Sequence, residues 1–459
     1  MKEEYIQEKL KKQHSFFATG ETLPVKARLL ALKKLRKAIQ SHEQDIYNAL
    51  YIDLGKSQSE AYMCEVGMVY SEISYMLSHT KKFAKTKRVP TPLAQWIARS
   101  YQKVTPKGVV LIMSPWNYPF MLTIDPLVDA IAAGNTAIIK PSAYAPETAK
   151  VLKLIIEEVF DEKYVCVITG GREENQALLK QDFDHIFFTG SKNVGKEVLR
   201  QASEHLVSTT LELGGKSPCI VDASCNLKMT AKRIVFGKFL NCGQTCVAPD
   251  YILCEDSIYE QFKEACISEI KKQFTEIPLT NDAYGHIINE KHFERLKALI
   301  NKDQVIYGGD VDEKTRKIEP TLLAPCTFDD EIMQDEIFGP ILPIIPYISL
   351  KEVLDVVNQR DHPLAFYIFS SDQPTIDYIL NQCPFGGGCI NDTIIHLATS
   401  HMGFGGCKHS GIGSYHGKIG FDTFSHYKSI VDKKTWFDLP MRYQPYSKLY
   451  DQIIRIFLR

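Results

Sequence analysis

An α/β fold built on parallel sheets is predicted by two observations: short, fully apolar runs alternate with helical segments, and the turns after those runs carry glycine and proline. A third observation adds a small β excursion. Thr86 to Lys107 holds three prolines and many polar or aromatic residues, a composition suited to an extended arm outside the domain body. The 459 residues, 44% hydrophobic and 24% charged, suffice for large cores divided among about two or three domains.

Composition also excludes several function classes. The formal net charge of -1 and pI near 6.9 give no electrostatic reason to expect a nucleic-acid partner, and lysines are interspersed with acids along most helices. Twelve cysteines are spread without paired metal-ligand spacing, which predicts no metal site and suits a reducing, cytoplasmic setting better than a disulfide framework. Met1 to Gln13 is a charged helical pattern with no apolar signal core, and no run reaches the roughly 18 apolar residues of a membrane span.

Residues 1 to about 83 read as successive amphipathic helices, with Leu29, Leu30, Leu32, Leu35 and Ile39 as an approximate stripe. Gly108 to Met113 is too apolar for a half-exposed strand and ends at Ser114-Pro115-Trp116-Asn117-Tyr118-Pro119. A strand and turn follow over Asn135 to Ser142, then a helix from about Pro146 to Phe160, a strand over Val165 to Ile168 and another helix. Asp184 to Gly190 gives the next strand, and a helix begins near Val194. Ligands of such sheets bind at the carboxyl ends of the strands.

The turn Thr189 to Gly195 lies where a nucleotide phosphate would be held, between a strand end and a helix N-terminus. It lacks the middle glycine of the G-x-G-x-x-G fingerprint, so simple turn chemistry is the competing reading. Ser208 to Pro218 sets Glu212 among apolar strand residues, either as an exposed strand acid or as a desolvated base with a raised pKa. A second alternating region runs from Asp222 to about 398, with helices around Tyr259 to Phe274 and His292 to Ile300 and an apolar strand at Leu364 to Phe369. The glycine-dense stretch Gly403 to Gly413 must pass close to other segments, and a strand over Phe421 to Lys428 is expected to complete the arm.

The sharpest chemical signal is Gly237 to Asp250. The apolar helical run of Ile234, Val235, Phe239 and Leu240 stops at Asn241 and Gly243, and Pro249 prevents its resumption, which leaves Cys246 on a tight connection before Tyr251 to Cys254. A thiolate is the strongest common nucleophile near neutral pH, and turn N–H groups lower a thiol's pKa and cradle an oxyanion beside it. The competing reading is an inert core cysteine. Cys242, four residues earlier, is either a small buried helix-end residue or the partner in a local disulfide.

The ordered set Pro115-Trp116-Asn117-Tyr118-Pro119, Lys140-Pro141-Ser142, Phe188-Thr189-Gly190-Ser191, Leu211 to Lys216, Gly243-Gln244-Thr245-Cys246 and Glu336-Ile337-Phe338-Gly339-Pro340 resembles the aldehyde dehydrogenase superfamily over nearly the whole chain. Gly413 to Lys418, Phe421 to His426, and Asn391-Asp392 followed by His396 resemble its class 3 and fatty aldehyde dehydrogenase branch. The resemblance implies a Rossmann-like dinucleotide-binding domain (1–85 and 106–210) and a second α/β catalytic domain (211–400). It further implies a small β oligomerisation arm (86–105 and 401–430), a C-terminal tail (431–459) and a homodimer.

For the chemistry, it implies that Cys246 attacks an aldehyde, that Asn117 and the Cys246 N–H hold the oxyanion, and that Glu212 activates the water which hydrolyses a thioester. NAD or NADP is the implied cofactor, with Lys140 and Ser142 at the adenosine ribose and Gly190, Ser191 and Gly195 along the adenosine and pyrophosphate. Glu336 then meets the nicotinamide ribose and Phe338 the nicotinamide ring. Tyr62, Tyr118, Phe239, Ile394 and His396 are expected to line an apolar substrate tunnel for medium or long aliphatic or aromatic aldehydes. Many relatives carry a glutamate at the position of Ala143, where it repels a 2′-phosphate. Its loss, with Lys192 nearby in the turn, predicts NADP use comparable to NAD or better. A silent protein on the same fold and a thiol esterase are the other readings, and reduction of added cofactor separates them.

Overall fold

The computed structural model describes residues 2–458; Met1 and Arg459, which open the expected first domain and close the expected tail, lie outside the described residues. Three β-sheets dominate, two of them parallel and covered by helices. The first has the strand order Gly411–Ile412, Ser208–Glu212, His185–Thr189, Val109–Met113, Thr136–Lys140, Val165–Val167, parallel throughout except for the antiparallel edge at Gly411–Ile412.

Its three central strands are buried on both faces, as their unbroken apolar sequences require. Strand alternation divides those side chains between two cores. Val109, Leu111, Ile138, Ile186 and Phe188 meet Ile6 and Leu10 of the first helix, whereas Val110, Ile112, Ile139 and Phe187 pack with the helices Met121–Ala133 and Pro146–Val159. Each such aliphatic side chain contributes on the order of 1.5–3 kcal/mol by leaving water.

The second sheet has seven strands in the order Val305–Tyr307, Thr321–Leu323, Ile341–Tyr347, Tyr251–Glu255, Pro218–Val221, Ala365–Phe369, Gly387–Ile390. All are parallel except the edge at Val305–Tyr307. The strands of the first sheet end at Met113, Lys140, Thr189 and Glu212, and the chain after Glu212 enters the second sheet at Pro218, beside Tyr251. The carboxyl ends of one sheet therefore lie beside the amino ends of the other.

The third sheet is the antiparallel arm Lys87–Val89, Ala98–Pro106, Ser425–Lys433. The last strand begins four residues later than its sequence suggested, because Gly417–Thr423 forms a short helix instead. Gly420 brings that helix against Asp129, where any Cβ would collide with the carboxylate. Among the described residues no helix is long and apolar enough to cross a membrane.

Candidate active site

The helix Leu227–Phe239, capped by the Asn226 side chain on the Met229 N–H, delivers the chain to the Cys246 turn. Asn241 and Cys242 then adopt left-handed φ values of 51° and 52°, which cost roughly 1–2 kcal/mol each for residues with a side chain. Hydrogen bonds hold them there. The Asn241 N–H donates to Glu60 (2.9 Å) and its amide to the Asn117 carbonyl (2.8 Å). Gln244 donates to the carbonyls of Asn241 and His286, both at 3.1 Å, and accepts from the Ile288 N–H at 3.0 Å. Gly243, at φ 71°, abuts the Gly339 carbonyl where a Cβ would not fit. Cys242 is buried beside Tyr284, and both it and Cys246 are free thiols.

Cys246 is half-buried, and its thiol is pushed up by burial and then by the charges of Glu336 and Glu212. The N–H groups of Cys246 and Val247 act in the opposite direction and are outweighed, so the expected turn-lowered thiol is not what the isolated chain presents. Glu212 ends its strand fully buried, with no hydrogen-bond partner for either carboxylate oxygen, and burial lifts it well above the ordinary range. Glu336 is pushed up to about 8 by burial and by Asp250, against the Gly215 N–H and the cations Lys216 and Arg295.

Asn117 stands on the loop after Val109–Met113. Its side-chain amide donates to the Gln244 carbonyl at 3.0 Å, which ties it to the turn two residues before Cys246. An amide nitrogen carries two protons, so one is left for another acceptor. Behind it, Lys56 donates to the Asn117 carbonyl at 2.8 Å and pairs with Glu65 at 2.5 Å, both side chains being buried. The other Glu65 oxygen accepts from the N–H groups of Phe120 (2.8 Å) and Met121 (3.1 Å), at the start of the next helix. Lys56 also sits 3.9 Å from the Tyr118 ring centre, and the Tyr118 hydroxyl meets Thr245 Oγ1 at 2.6 Å.

Sequence reasoning missed Lys56, Glu60 and Glu65, and it read Asn241 and Gln244 as turn and motif residues without their hydrogen bonds. Glu60 and Glu65 flank the start and body of a π-helical turn, Tyr62–Val66, whose wider spacing defeats a search for 3.6-residue periodicity. The remaining signal was the charge itself, in a segment that is otherwise good helix.

The expected cofactor residues cluster at the strand ends. Lys140 is buried, donates to the Pro141 carbonyl at 2.8 Å and is lowered to about 8 by burial. Ser142 accepts from the Tyr144 N–H, and the Gly190 N–H bonds the Glu212 carbonyl at 2.9 Å. Ser191 is the N-cap of the helix Lys192–Glu204 but makes no side-chain cap bond, so the hydroxyl and the helix's first N–H groups stay available. Gly195 lies against the Leu213 side chain and Gly214 against the Glu336 carboxylate, each so close that a Cβ would displace that side chain. Phe338 has a strained φ of 52° and sets its ring edge-on to Trp116 at 5.3 Å. A helix N-terminus with unspent donors, a buried ammonium and a carboxylate over a bare backbone fit a dinucleotide. Lys192 is the exception. It is the first residue of the helix and pairs with Asp361, so its charge is already matched.

Of the expected substrate residues, Tyr118 reaches the Cys246 turn through Thr245, and Ile394 reaches it through the Tyr367 hydroxyl, which donates to the Val247 carbonyl. His396 lies beside Tyr367 and 3.5 Å from the Cys389 sulfur, lowered to about 4 by burial. Phe239 is in the core against Phe274, and Tyr62 is half-exposed. Among the described residues no group of three or more His, Cys, Asp or Glu side chains is disposed to hold a metal ion.

The aldehyde dehydrogenase family profile matches residues 1–430. The chain is 48% identical to 4,4'-diaponeurosporen-aldehyde dehydrogenase of Staphylococcus aureus, over 98% of this chain and 99% of the relative. It is 43% identical to the dimeric, NADP-preferring aldehyde dehydrogenase of Canis lupus familiaris, over 96% and 98% of the two chains. The structure of Staphylococcus aureus AldH in its substrate-bound state superimposes with a TM-score of 0.97 at 48% identity, covering 99% of each chain.

Proposed function

The chain belongs to the aldehyde dehydrogenase family, an NAD(P)-dependent oxidoreductase that converts aldehydes to carboxylic acids, and on that premise we propose that Cys246 is the nucleophile, Asn117 the oxyanion donor and Glu212 the base. The observation that carries this reading is the Asn117 amide bonded to Gln244, in a turn whose thiol feels the charges of both Glu212 and Glu336. These relations support a site drawn from three elements distant in sequence.

Cys246, its thiol proton first released to solvent, adds as the thiolate to the carbonyl carbon, and the oxygen that becomes negative is held by the free Asn117 amide proton and the Cys246 N–H. Bound NAD or NADP supplies the hydride acceptor. Lys140, Ser142, Gly190, Ser191 and Gly195 would hold its adenosine and pyrophosphate, while Glu336 and Phe338 would hold its nicotinamide end. Cys246 then carries the acyl group as a thioester, and Glu212 takes a proton from the water that releases the acid. Without a hydrogen bond to either oxygen, Glu212 is free to reach that water.

Tyr118, Ile394 and His396, with Tyr62 half-exposed, favour a medium or long aliphatic or aromatic aldehyde, whereas Phe239 packs into the core against Phe274. The twelve free cysteines suit a cytosolic setting. A homodimer is supported by two open strand edges, Gly387–Ile390 of the large sheet and Ser425–Lys433 of the arm, which would continue one sheet across two copies. Replacing Cys246 by Ala tests the mechanism. Aldehyde oxidation should vanish while cofactor binding, read by quenching of protein fluorescence, persists; retained oxidation would assign the nucleophile elsewhere.

A further inference from the structure

Buried groups with unspent hydrogen-bonding capacity collect in one layer, between the six-stranded sheet and the helix Met121–Ala133. In the register of its two strands, Thr189 lies opposite Glu212 and Phe187 opposite Thr210. Partners in register share a face, and so do residues two apart on one strand. Glu212 and Thr189 therefore point to the side on which Phe187 packs with that helix. Among the described residues, neither Glu212 oxygen has a hydrogen-bond partner, nor has the Thr189 hydroxyl. Asp125, on the helix, is 1% exposed with both oxygens unpartnered, and His416, at 3%, leaves its Nε2 unpartnered. Native interiors seldom leave such groups unspent, and a layer that served packing alone would be apolar.

Tyr415 stands between the sheet and the helix carboxyls. Its ring meets Phe187 edge-on at 5.0 Å and stacks on the His416 imidazole at 4.0 Å. Burial, then the charges of Asp125, Glu212, Cys246 and Asp129, push its hydroxyl up, so it has the base on one side and the helix acids on the other. Asp125 and Asp129 are four residues apart and share a face of the helix. Asp129 meets Glu72, whose charge is second only to burial in raising it. Glu72 accepts from the Ser400 hydroxyl at 2.7 Å and the Gly417 N–H at 2.8 Å, with His416 Nδ1 3.7 Å away. Those three neighbours outweigh its burial and hold Glu72 below the ordinary range, as the ionised member. Ser400 is half-buried and His401 beside it is exposed, so the series ends at water.

We propose, on the reading that Glu212 is the base, that Tyr415, Asp125, Asp129 and Glu72 carry the proton taken by Glu212 from the hydrolytic water out to solvent at Ser400. Glu212 is 2% exposed, yet it must lose that proton before the next turnover. Its proton passes to the Tyr415 oxygen while the Tyr415 hydroxyl proton passes to Asp125. A protonated carboxyl accepts on one oxygen as it donates from the other, so Asp125 and Asp129 hand a proton on without changing charge, and Glu72 gives one to water. One proton enters and one leaves, and no bond between heavy atoms changes. Burial, then Glu72 and Glu65, hold the Asp125 carboxyl well above the ordinary range, where it keeps the proton that this requires. The four residues act on the reaction only through Glu212, as positioning residues for its proton.

The test compares the full-length enzyme with Y415F, D125N and D125E, using NAD and a short water-soluble aldehyde. Stopped-flow absorbance should show the burst of reduced cofactor intact in all three, while Y415F and D125N slow the steady state at least about tenfold in dilute buffer near neutral pH. Proton loss from Glu212 then waits on solvent, so the steady rate of both should rise with imidazole buffer at constant pH and ionic strength, and that of the unmodified enzyme should not. D125E, which restores a carboxyl, should recover most of the rate. Y415F and D125E change little in volume, so they decide the matter if D125N fails to fold. Unslowed steady states, slow ones that ignore buffer, loss of the burst, or a D125E as slow as Y415F each overturn the proposal. E212Q separates its failure from that of the parent reading. An E212Q enzyme that turns over at the unmodified rate removes Glu212 as the base and with it the source of the proton; a slow E212Q beside unslowed Y415F and D125N refutes the exit alone.

Discussion

Lys56 and Glu65 form a buried ion pair, 2.5 Å between ammonium and carboxylate, and each spends its remaining hydrogen-bond capacity on the loop that carries Asn117. A methionine at 56 would leave the Glu65 carboxylate buried without its counter-charge, at a cost of roughly 3–5 kcal/mol. Lys56→Met should therefore lower stability by that amount and aldehyde kcat/KM by about 10–100-fold, equivalent to about 1.4–2.7 kcal/mol at the transition state. K56M/E65L should regain most of the stability but not the rate. Urea melts beside steady-state kinetics separate the two, and an unchanged kcat/KM in the double variant would free Asn117 from this clamp.

Glu212→Gln should separate the two halves of the reaction. Removing the base leaves acylation largely intact, so stopped-flow absorbance is expected to show a burst of reduced cofactor near one per site, followed by a steady state slowed about 100-fold or more. Loss of the burst itself would give Glu212 a role before the thioester.

Cys246 should label slowly in the cofactor-free enzyme at neutral pH. Its thiol is held up by burial and by two acids, and only the thiolate reacts with iodoacetamide. The labelled fraction, followed by mass spectrometry of the peptide, should rise about tenfold per pH unit from pH 7 to 9. A rate at pH 7 above that of free glutathione would mean that a charge not described above lowers the thiol.

Cofactor choice should turn on residue 143 and not on residue 192. Ala143 is exposed and carries no charge to repel a 2′-phosphate, whereas the Lys192 ammonium is already paired with Asp361. Ala143→Glu should cut kcat/KM for NADP by about tenfold or more and spare NAD, since a like-charge contact of about 1.4 kcal/mol suffices for that factor. Lys192→Ala should leave the NADP to NAD ratio within about twofold, because only a fraction of 1 kcal/mol is expected from a surface cation already matched by a partner. A large shift in that ratio would show that Lys192 leaves Asp361 when the nucleotide binds.

Asp129 should prove a stability liability. It is fully buried, burial and the neighbouring Glu72 and Asp125 raise its pKa, and only the His416 backbone N–H acts against them. Its folded pKa lies above the ordinary carboxyl value near 3.9, so the folded state binds a proton that the unfolded state has released, and stability falls as pH rises from about 4 towards that folded value. Asp129→Asn should raise the thermal midpoint by a few degrees at pH 7.5 and flatten the dependence between pH 4 and 7.5. A lower midpoint at pH 7.5 would mean that the ionised carboxylate is stabilised by water.

Much of this architecture could be read in the sequence because its cues were local. Val109 to Met113 is apolar without interruption, and Asn241, Gly243 and Pro249 mark the turn around Cys246 within a dozen residues. The clamp could not be read that way. Lys56 meets Asn117 across 61 positions, and the π-helical turn takes Glu65 off the helical stripe that would have marked it as buried. Lys192 looked available for a phosphate because its partner Asp361 lies 169 positions away. The arm strand was misplaced for a similar reason: the helix Gly417–Thr423 packs Gly420 against Asp129, a contact with no trace in the local pattern.

Because Glu212 ends a strand of the six-stranded sheet and Asn117 stands on a loop after another, while Cys246 precedes a strand of the seven-stranded one, neither half would own the proposed centre complete. Chains of this size commonly fold through partly organised species. Activity should consequently be among the last properties regained on dilution from denaturant, after helical signal and after each sheet has formed. Turnover then reports the seating of the two halves, and a chaperone that holds them apart would keep a well-ordered protein silent.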